Sequence, residues 1–465
     1  MAFLGIDLGT GGVRCLLVEE DGRILAETAC GLRNLNVATI EQASEQDPRE
    51  WIEALETAMD ELFADPARRE VQAMAVDSTS GTVLPVAADG SALGMAILYN
   101  DMRAQDEAEA CAAVFGGACS PTFGLPKILW MKAQMDFPED VLFLHATDFL
   151  NSWLAGTTEV PTDFTNAMKT GVDLESGRWS SALPDVRLPS VVAPGTKFGQ
   201  LRGDLRKRWQ LSGEVDLVSG ATDSNAAFYA SGAAEAGDWS TTIGTTLVIK
   251  GLSEVRLHDP EARVYCHKHP DGIWLPGGAS NAGGEILRVR FGGRMDELEV
   301  AAAKRGRTDH ILYPSVRQGE RLPFASGSFL PFEERADGDE VDGFLACLEG
   351  LACVEAMVLE LLVDLGAVVG DTIYATGGAA KSGLGLQVRA DFLQKTLKVP
   401  SHPNSAMGAA ILAAAGHQER SVAALSKQMV TVEKSIEPLA RERSYHEDRL
   451  ARFRELCSES LTNSL

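Results

Sequence analysis

The sequence predicts an α/β protein built from two similar domains, and three observations support this prediction. The chain has 465 residues, more than one hydrophobic core normally organises. Two glycine-containing turns, at 7–12 and 242–245, each lie between apolar runs of strand length. The turns are about 235 residues apart and align as Asp-Leu-Gly-Thr with Thr-Ile-Gly-Thr. Similar turns at that separation indicate a duplicated domain.

Composition excludes several classes of protein. A hydrophobic content of 45% and a charged content of 23% are those of a globular protein. The net charge of −24 argues against general binding to nucleic acid or to anionic membranes, although backbone N–H groups can still hold phosphates in an acidic protein. The N-terminal stretch lacks the basic region of a signal peptide, and apolar runs such as 409–415 are too short to span a bilayer. The eight cysteines form no C-x-x-C pair, so we expect a cytoplasmic protein with reduced thiols.

The first glycine turn has the composition of an anion-binding site. Apolar runs at 3–6 and 13–18 flank it, and Gly9, Gly11 and Gly12 permit positive φ and a close backbone approach to a ligand. A plain hairpin is the alternative. Asp7 favours the functional interpretation, because a carboxylate beside bound phosphate requires a cation between them. Mg²⁺, which takes one or two carboxylates together with phosphate oxygens, meets that requirement.

A second acid, Asp223, lies where a helix is predicted to begin. It follows an apolar run at 215–218 and precedes the helix-compatible segment 226–230. Free N–H groups and the helix dipole stabilise an acid in a first helical turn, so an ordinary N-cap is one interpretation. A proton acceptor in an active site is the other.

Polar residues that suit a sugar follow the predicted strand 71–76. Five hydroxyl or carboxyl side chains occur in the six residues 77–82, which form either a solvated turn or a shelf for a polyol. Asp101 and Arg103 are two apart on an extended segment and therefore face the same side. They form either a surface ion pair or a sugar-positioning pair.

Several further elements are predicted from pattern alone. Asp47 and Pro48 have the residue types of an N-cap and a first helical position, and the apolar spacing after them is that of a helix. Helices are also predicted at 344–365, 387–396 and 442–461, and a strand at 371–376 leads into a glycine turn at 377–378. The last helix is expected to pack on the body of the protein or on the partner subunit of a homodimer.

An ordered set of motifs resembles a known family. The segments are Gly5-Ile6-Asp7-Leu8-Gly9-Thr10, Tyr99 to Arg103, Gly220 to Asp223, Ile243 to Thr246 and Ala375 to Ser382. Their order is similar to that in the FGGY carbohydrate kinases, and the match extends from residue 5 to about 415. The resemblance implies two actin-like ATPase domains of the ribonuclease-H-like kind with an interdomain cleft. It implies an N-terminal sugar-binding domain at 1–233, a C-terminal nucleotide-binding domain at 234–416 and a helical extension at 417–465.

The resemblance also implies roles for individual residues, with ATP and Mg²⁺ as cofactors. Asp223 is expected to accept the proton of the sugar hydroxyl and Asp7 to hold Mg²⁺. The phosphates are expected to contact Thr10, Gly11, Gly12, Gly244, Thr245 and Thr246. Adenosine is expected beside Gly377, Gly378 and Ala379. The sugar is expected to contact Ser80, Asp101, Arg103 and Asp223.

Substrate class is implied by a narrower likeness. Residues 79–82, Thr-Ser-Gly-Thr, resemble the matching stretch of the D-ribulose kinase branch. Xylulose kinases resemble a different pattern, with a Gln-Met-His-Gly segment at the place where this chain has residues 78–81. Segments 163–169, 265–268 and 277–284 also resemble the ribulose branch, which implies phosphorylation of D-ribulose to D-ribulose 5-phosphate. Ser405 departs from the family, which often has an acid there. The alternatives are a kinase for xylulose, ribitol, glycerol or erythritol, an actin-like ATPase indifferent to sugars, and a sugar sensor.

Overall fold

A computed structural model describes residues 1–38, 41–117, 119–335, 337–439 and 443–463. By its contacts the chain forms two compact units. Unit 1 comprises 1–230 with 404–429, and unit 2 comprises 231–403 with 430–465.

The strands, in chain order, are β1 Ala2–Gly9, β2 Gly12–Glu19, β3 Ile24–Gly31, β4 Glu45–Gln46, β5 Val71–Ser78, β6 Val83–Val86, β7 Ala96–Ile97, β8 Leu142–His145, β9 Thr162–Asp163, β10 Val172–Asp173, β11 Arg178–Trp179, β12 Val191–Val192, β13 Lys197–Gln200, β14 Asp216–Val218, β15 Trp239–Ile243, β16 Leu247–Gly251, β17 Tyr265–Lys268, β18 Trp274–Ser280, β19 Ile311–Leu312, β20 Glu333–Glu334, β21 Thr372–Thr376, β22 Thr396–Pro400 and β23 Val432–Ile436. The α-helices are α1 Pro48–Leu62, α2 Gln105–Ala110, α3 Gly124–Gln134, α4 Ala146–Ala155, α5 Phe164–Ala167, α6 Gly203–Arg208, α7 Asp223–Tyr229, α8 Glu285–Phe291, α9 Met295–Arg305, α10 Glu340–Asp364, α11 Gly383–Leu393, α12 Ser405–Gln418, α13 Val422–Met429 and α14 Arg443–Asn463.

The main sheets of the two units share a six-stranded topology, to which unit 2 adds β17 at one edge. In unit 1 the order is β13-β14-β5-β1-β2-β3, and in unit 2 it is β17-β18-β16-β15-β21-β22-β23. In each sheet an antiparallel hairpin, β1-β2 or β15-β16, is followed by two parallel strands, β5 and β14 or β21 and β22. The duplication predicted from the two glycine turns is therefore present in the strand order.

Helix α1 illustrates how local sequence determines an element of unit 1. Asp47 caps the helix by accepting a hydrogen bond from the backbone N–H of Arg49, and Pro48 occupies the first helical position. Trp51, Leu55 and Met59 are buried in the core of unit 1, as their four-residue spacing predicts. The predicted helix is confirmed.

Helix α12 belongs to unit 1, although the sequence division assigned 404–416 to the second domain. Two glycines explain its position. A Cβ at Gly5 of β1 would overlap the carbonyl oxygen of Ala406, and a Cβ at Gly408 would overlap that of Ala226 in α7. The helix therefore lies directly on the backbone of β1 and α7, which a linear division of the chain does not anticipate.

The core of unit 2 surrounds α10, which contains the predicted helix at 344–365 except for Leu365, its C-cap. The C-terminal α14 covers the prediction at 442–461 for the residues described. Its Phe453 is buried and stacks on Tyr313 with ring centroids 5.7 Å apart, so the helix packs on the body of unit 2. Helix α11 departs from the prediction of 387–396, because it begins at Gly383 after a Ser382 cap and ends at Leu393. Thr396 instead starts β22.

None of the helices in the described ranges combines the length and apolar character needed to cross a membrane. All eight cysteines lie in described residues and are free thiols.

Candidate functional site

Three carboxylates lie at the ends of three neighbouring strands in unit 1. Asp7 is near the end of β1 and is paired in register with Asp77 of β5. The next residue of β5, Ser78, bridges to Thr222, which follows β14 and precedes Asp223. Because parallel strands end at the same edge of a sheet, the fold brings two predicted site residues, Asp7 and Asp223, together around Asp77.

Asp77 is the buried member of this group. Its side chain has 0% exposure, and neither carboxylate oxygen accepts a hydrogen bond from a donor in the described residues. Burial raises the pKa of Asp77 well above its ordinary value, and the charges of Asp7 and Asp223 raise it further. The sequence placed Asp77 in the polar run 77–82 without a role. Its burial follows from its central strand, which sequence pattern alone does not reveal.

The acids suit the magnesium ion that the resemblance implies. Asp7 is half-buried and Asp77 has unsatisfied oxygens, so two hard oxygen ligands lie at adjacent strand ends. Among the described residues no three His, Cys, Asp or Glu side chains form a metal-holding group. Mg²⁺ typically takes one or two carboxylates and keeps several waters, so this donor set fits it.

The first glycine turn is a two-residue hairpin connection. Gly9 and Gly12 are paired at the ends of β1 and β2, with exposed Thr10 and Gly11 between them. The carbonyl of Thr10 accepts a hydrogen bond from Gln46, and that of Gly11 accepts one from Leu32. The loop backbone is thus held in place by its own unit, as a phosphate-binding loop requires.

The freedom to adopt positive φ, which the sequence permits at these glycines, is not used: Gly9, Gly11 and Gly12 all lie outside the left-handed region. Packing explains Gly12 instead: a Cβ there would overlap the carbonyl oxygen of Cys30 on β3.

The second glycine turn repeats this construction in unit 2. Gly244, Thr245 and Thr246 connect β15 to β16, and the N–H of Gly244 donates to the carbonyl of Thr246 at 3.0 Å. The carbonyl of Gly244 in turn accepts from Gly284 at 2.8 Å. The predicted hairpin is present, and its conformation is also held from within its own unit.

The third glycine turn, after β21, is also in unit 2. Gly377 has φ +81°, a conformation that favours glycine, and a Cβ there would lie 2.7 Å from the carbonyl oxygen of Ile243. Gly378 and Ala379 begin a single-turn helix, Gly378–Lys381. The predicted strand and glycine turn are confirmed, with exposed backbone at Gly377 and Gly378.

Asp223 is the first residue of α7, and the residues before it are fixed by buried polar groups. The N–H of Thr222 donates to the hydroxyl of Thr165 at 2.9 Å, and that hydroxyl donates to Asp163. The backbone at Gly220 also packs directly against β5, since a Cβ there would overlap the carbonyl oxygen of Val76. The backbone that carries the half-buried Asp223 carboxylate is therefore fixed by hydrogen bonds and close packing. Sequence reasoning assigned no such role to Thr165 or Asp163.

The polar run after β5 only partly forms the predicted shelf. Asp77, Ser78 and Thr82 are buried, and Ser78 shares a hydrogen bond of 2.6 Å with Thr147. Ser80 and its neighbour Thr79 are half-buried at the turn, where Gly81 has φ +83°. Ser80 and Thr79 therefore stay accessible at the turn, whereas Asp77 and Ser78 are buried because both faces of β5 are covered.

Asp101 and Arg103 form a buried ion pair, contrary to the surface pair considered from sequence. Asp101 is 1% exposed and accepts hydrogen bonds from the N–H of Ser44 at 2.7 Å and from Arg103. The Arg103 guanidinium also pairs with Glu45 at 2.6 Å and lies 4.4 Å from the Trp130 ring centroid. Both side chains are occupied by protein partners.

Two lysines that sequence reasoning did not assign lie near the Ser80 turn. Lys127 is fully buried and donates to the carbonyls of Gly81 and Leu98 at 2.9 and 2.6 Å. Burial lowers the pKa of Lys127 to about 7, opposed by the charge of Asp101. Lys169 is half-buried, and its charge interacts with Asp223. Segment 163–169, which contains it, was noted in the sequence only for a family likeness.

The acid that the family often has near 405 is not needed to cap α12. Asn404 is the N-cap, and its side chain accepts from the N–H of Met407 at 2.8 Å. Ser405 is simply the first helical residue.

Comparison with known proteins assigns both halves of the chain to one family. The N-terminal domain of the FGGY family of carbohydrate kinases matches residues 2–229, and the C-terminal domain of the same family matches 240–417. The xylulose kinase of Bacillus subtilis is 27% identical over 447 residues, which covers 89% of this chain and 88% of the relative. The xylulose kinase of Escherichia coli is 26% identical and covers 99% of both chains.

A solved structure shares the fold. The xylulose kinase of Rhodospirillum rubrum has a TM-score of 0.85 and 21% identity, with 100% of both chains covered. Together with the repeated sheet topology, this confirms the predicted class of two actin-like, ribonuclease-H-like α/β domains.

Proposed function

The chain belongs to the FGGY family of carbohydrate kinases, and from that premise we propose that it phosphorylates D-ribulose at its terminal hydroxyl to give D-ribulose 5-phosphate. The family makes the chain an ATP-dependent phosphotransferase with a sugar alcohol group as acceptor. The observation that carries the proposed mechanism is the position of Asp223, half-buried at the start of α7, where its charge acts on Asp77 beside Asp7.

Asp223 is the proposed general base. As the sugar hydroxyl oxygen bonds to the γ-phosphorus of ATP, the bond to the oxygen leaving with ADP breaks, and the hydroxyl proton passes to Asp223. Such transfers need little covalent assistance, so positioning and charge neutralisation supply most of the acceleration. The hydrogen bonds from Thr222 to Thr165 and from Thr165 to Asp163 support this role, because they fix the start of α7.

Asp7 is the proposed ligand of magnesium, directly or through water, with Asp77 beside it. A bound Mg²⁺ would neutralise charge on the phosphate oxygens. Thr10, Gly11 and Gly12 in unit 1, and Gly244, Thr245 and Thr246 in unit 2, are proposed to donate to the phosphates. Gly377, Gly378 and Ala379 are proposed to contact adenosine.

Ser80 and Asp223 are the proposed sugar contacts. Asp101 and Arg103 are proposed to position the sugar site indirectly, because Asp101 accepts from Ser44 and the charge of Arg103 is paired with Asp101 and Glu45. D-ribulose is supported by the Thr79 to Thr82 stretch, which is similar to the ribulose branch. D-xylulose is the second candidate, since the relatives compared are named xylulose kinases.

A coupled ADP-release assay tests the substrate. MgATP is supplied with D-ribulose, L-ribulose, D-xylulose, ribitol, glycerol or no sugar, and we expect the highest kcat/KM with D-ribulose. A higher kcat/KM with D-xylulose would leave the proposed mechanism unchanged and make D-xylulose the substrate instead of D-ribulose. Equal ADP release with and without sugar would instead favour an ATPase.

A further inference from the structure

Lys169 lies on a fixed segment of unit 1 beside the proposed base. It is in the single-turn helix Met168–Thr170, directly after α5. Asp163 caps α5 by accepting from the backbone N–H groups of Thr165 and Asn166, and the Asn166 side chain donates to Asp163 at 2.7 Å. The segment that carries Lys169 is therefore the one that holds Thr222, the residue before Asp223.

The side chain of Lys169 extends past the Ser80 turn. A Cβ at Gly81 would lie 3.2 Å from its Cδ, and its ammonium is 6.0 Å from the centroid of the Phe123 ring. The ammonium charge interacts with the Asp223 carboxylate. Lys169 thus lies against the turn that carries Ser80, and its charge acts on Asp223.

The Lys169 ammonium is near the Phe123 ring and the Asp223 charge, but no protein acceptor of the described residues is hydrogen-bonded to it. In the described part of the chain it donates no hydrogen bond and forms no ion pair, while burial lowers its pKa against the opposing charge of Asp223. Lys127 differs, because the carbonyls of Gly81 and Leu98 accept its hydrogen bonds. A half-buried cation without acceptors is costly, and ligand oxygens would remove that cost.

We propose that Lys169 donates a hydrogen bond to the keto oxygen of an open-chain ketose and thereby selects ketoses over polyols. This inference rests on the proposed sugar site at Ser80 and Asp223. An ammonium has three donors and no acceptor, and a keto oxygen only accepts, so the two match. A polyol hydroxyl at that position also carries a hydrogen, for which the ammonium offers no acceptor.

Lys169 and the proposed phosphate-binding hairpin β1-β2 interact with different charged groups. The groups that act on Asp77 include Asp7 and Arg14, and Arg14 lies opposite Asp7 in the strand register of the hairpin β1-β2. Lys169 instead interacts with Asp223 and contacts the Gly81 turn. The cation beside the hairpin is Arg14, and Lys169 belongs to the sugar side.

The test compares Lys169→Met with the wild type on matched substrates. D-ribulose with ribitol, and D-xylulose with xylitol, differ at C2 by a keto oxygen against a hydroxyl. We expect the variant to raise KM for the ketose on the order of 10–100-fold with a smaller change in kcat. KM for the polyol should change much less, so the preference for ketose falls. Equal effects on ketose and polyol, or no effect, would overturn the proposal.

Two controls accompany this test. Lys132→Met removes an exposed lysine of α3 whose ammonium donates to the carbonyl of Asp185, and it should leave both preferences unchanged. The thermal midpoint of Lys169→Met without sugar should not fall, because the substitution removes a half-buried charge whose burial outweighs its attraction to Asp223. A lower midpoint with equal loss for both sugar types would indicate a structural role and overturn the proposal.

The design separates this inference from the proposed substrate. If D-xylulose is the better substrate and the xylulose to xylitol preference falls in Lys169→Met, the ribulose assignment fails and the inference holds. If no sugar is phosphorylated, calorimetric binding of the same four sugars replaces turnover. Absence of ketose binding to the wild type would then overturn the inference.

Discussion

Asp7 and Asp77 occupy paired positions on the parallel strands β1 and β5, with the Asp77 side chain fully buried. No N–H or O–H donor of the described residues bonds to either oxygen of the ionised Asp77. A protonated Asp77 can itself donate to Asp7. The fold therefore keeps one acid in conditions that oppose its charge, directly beside the acid proposed to hold magnesium.

Asp77→Asn should stabilise the magnesium-free protein at neutral pH. The raised pKa means that folded Asp77 retains a proton that the unfolded chain releases above about pH 4, so its contribution to stability falls as pH rises from there. We expect a gain on the order of 1 kcal/mol at pH 7. Thermal unfolding at pH 4 and pH 7 measures it. A stabilisation that is larger at pH 4 would contradict this assignment.

Asp223→Asn should lower kcat about 10²–10⁴-fold, the usual contribution of a general base. Nucleotide affinity, measured by calorimetry, should change little. Asp204→Asn is a matched control, since Asp204 is an exposed acid in the first turn of α6. Turnover at the wild-type rate by Asp223→Asn would remove Asp223 from the mechanism.

Lys127→Met should abolish a rise of stability with pH. Because folded Lys127 has a pKa of about 7 and the unfolded side chain about 10.4, the unfolded chain binds the extra proton between these values. Wild-type stability should gain from this residue as pH rises through that interval, by up to about 1.4 kcal/mol per unit. Urea unfolding at pH 7 and pH 9 measures the difference. The same pH dependence in both proteins would exclude Lys127 as its origin.

Gly408→Ala should destabilise unit 1 and reduce activity. A Cβ there would overlap the carbonyl oxygen of Ala226 in α7, the helix that begins with Asp223, so α12 or α7 has to shift. Overpacking of this kind costs roughly 1–3 kcal/mol or more. Gly199→Ala is the control, because a Cβ at that strand position meets no atom within 4 Å. Similar midpoints for the two variants would refute the packing argument.

Local sequence was sufficient where neighbouring residues determine the structure. Asp47-Pro48 begins α1, the hairpins surround Gly11 and Gly244, and α10 follows its apolar spacing. The sequence was insufficient where distant backbone decides the outcome. A Cβ at Gly12 would overlap Cys30 on β3, and Asp101 is buried against Ser44 and Arg103. Such contacts join residues that no short-range pattern relates.

The sequence by itself determined the duplicated α/β domains, the glycine turns and the acids Asp7 and Asp223, because hydrophobic period and turn chemistry are local properties. Only the tertiary structure decided that α12 packs with unit 1, that Asp77 lies buried between those acids and that Lys169 lies beside Asp223. The physical reason is that the burial and electrostatic environment of a charge depend on which strands and helices become neighbours. Strands and helices that pack together are often far apart in the sequence, so local patterns do not reveal which of them become neighbours.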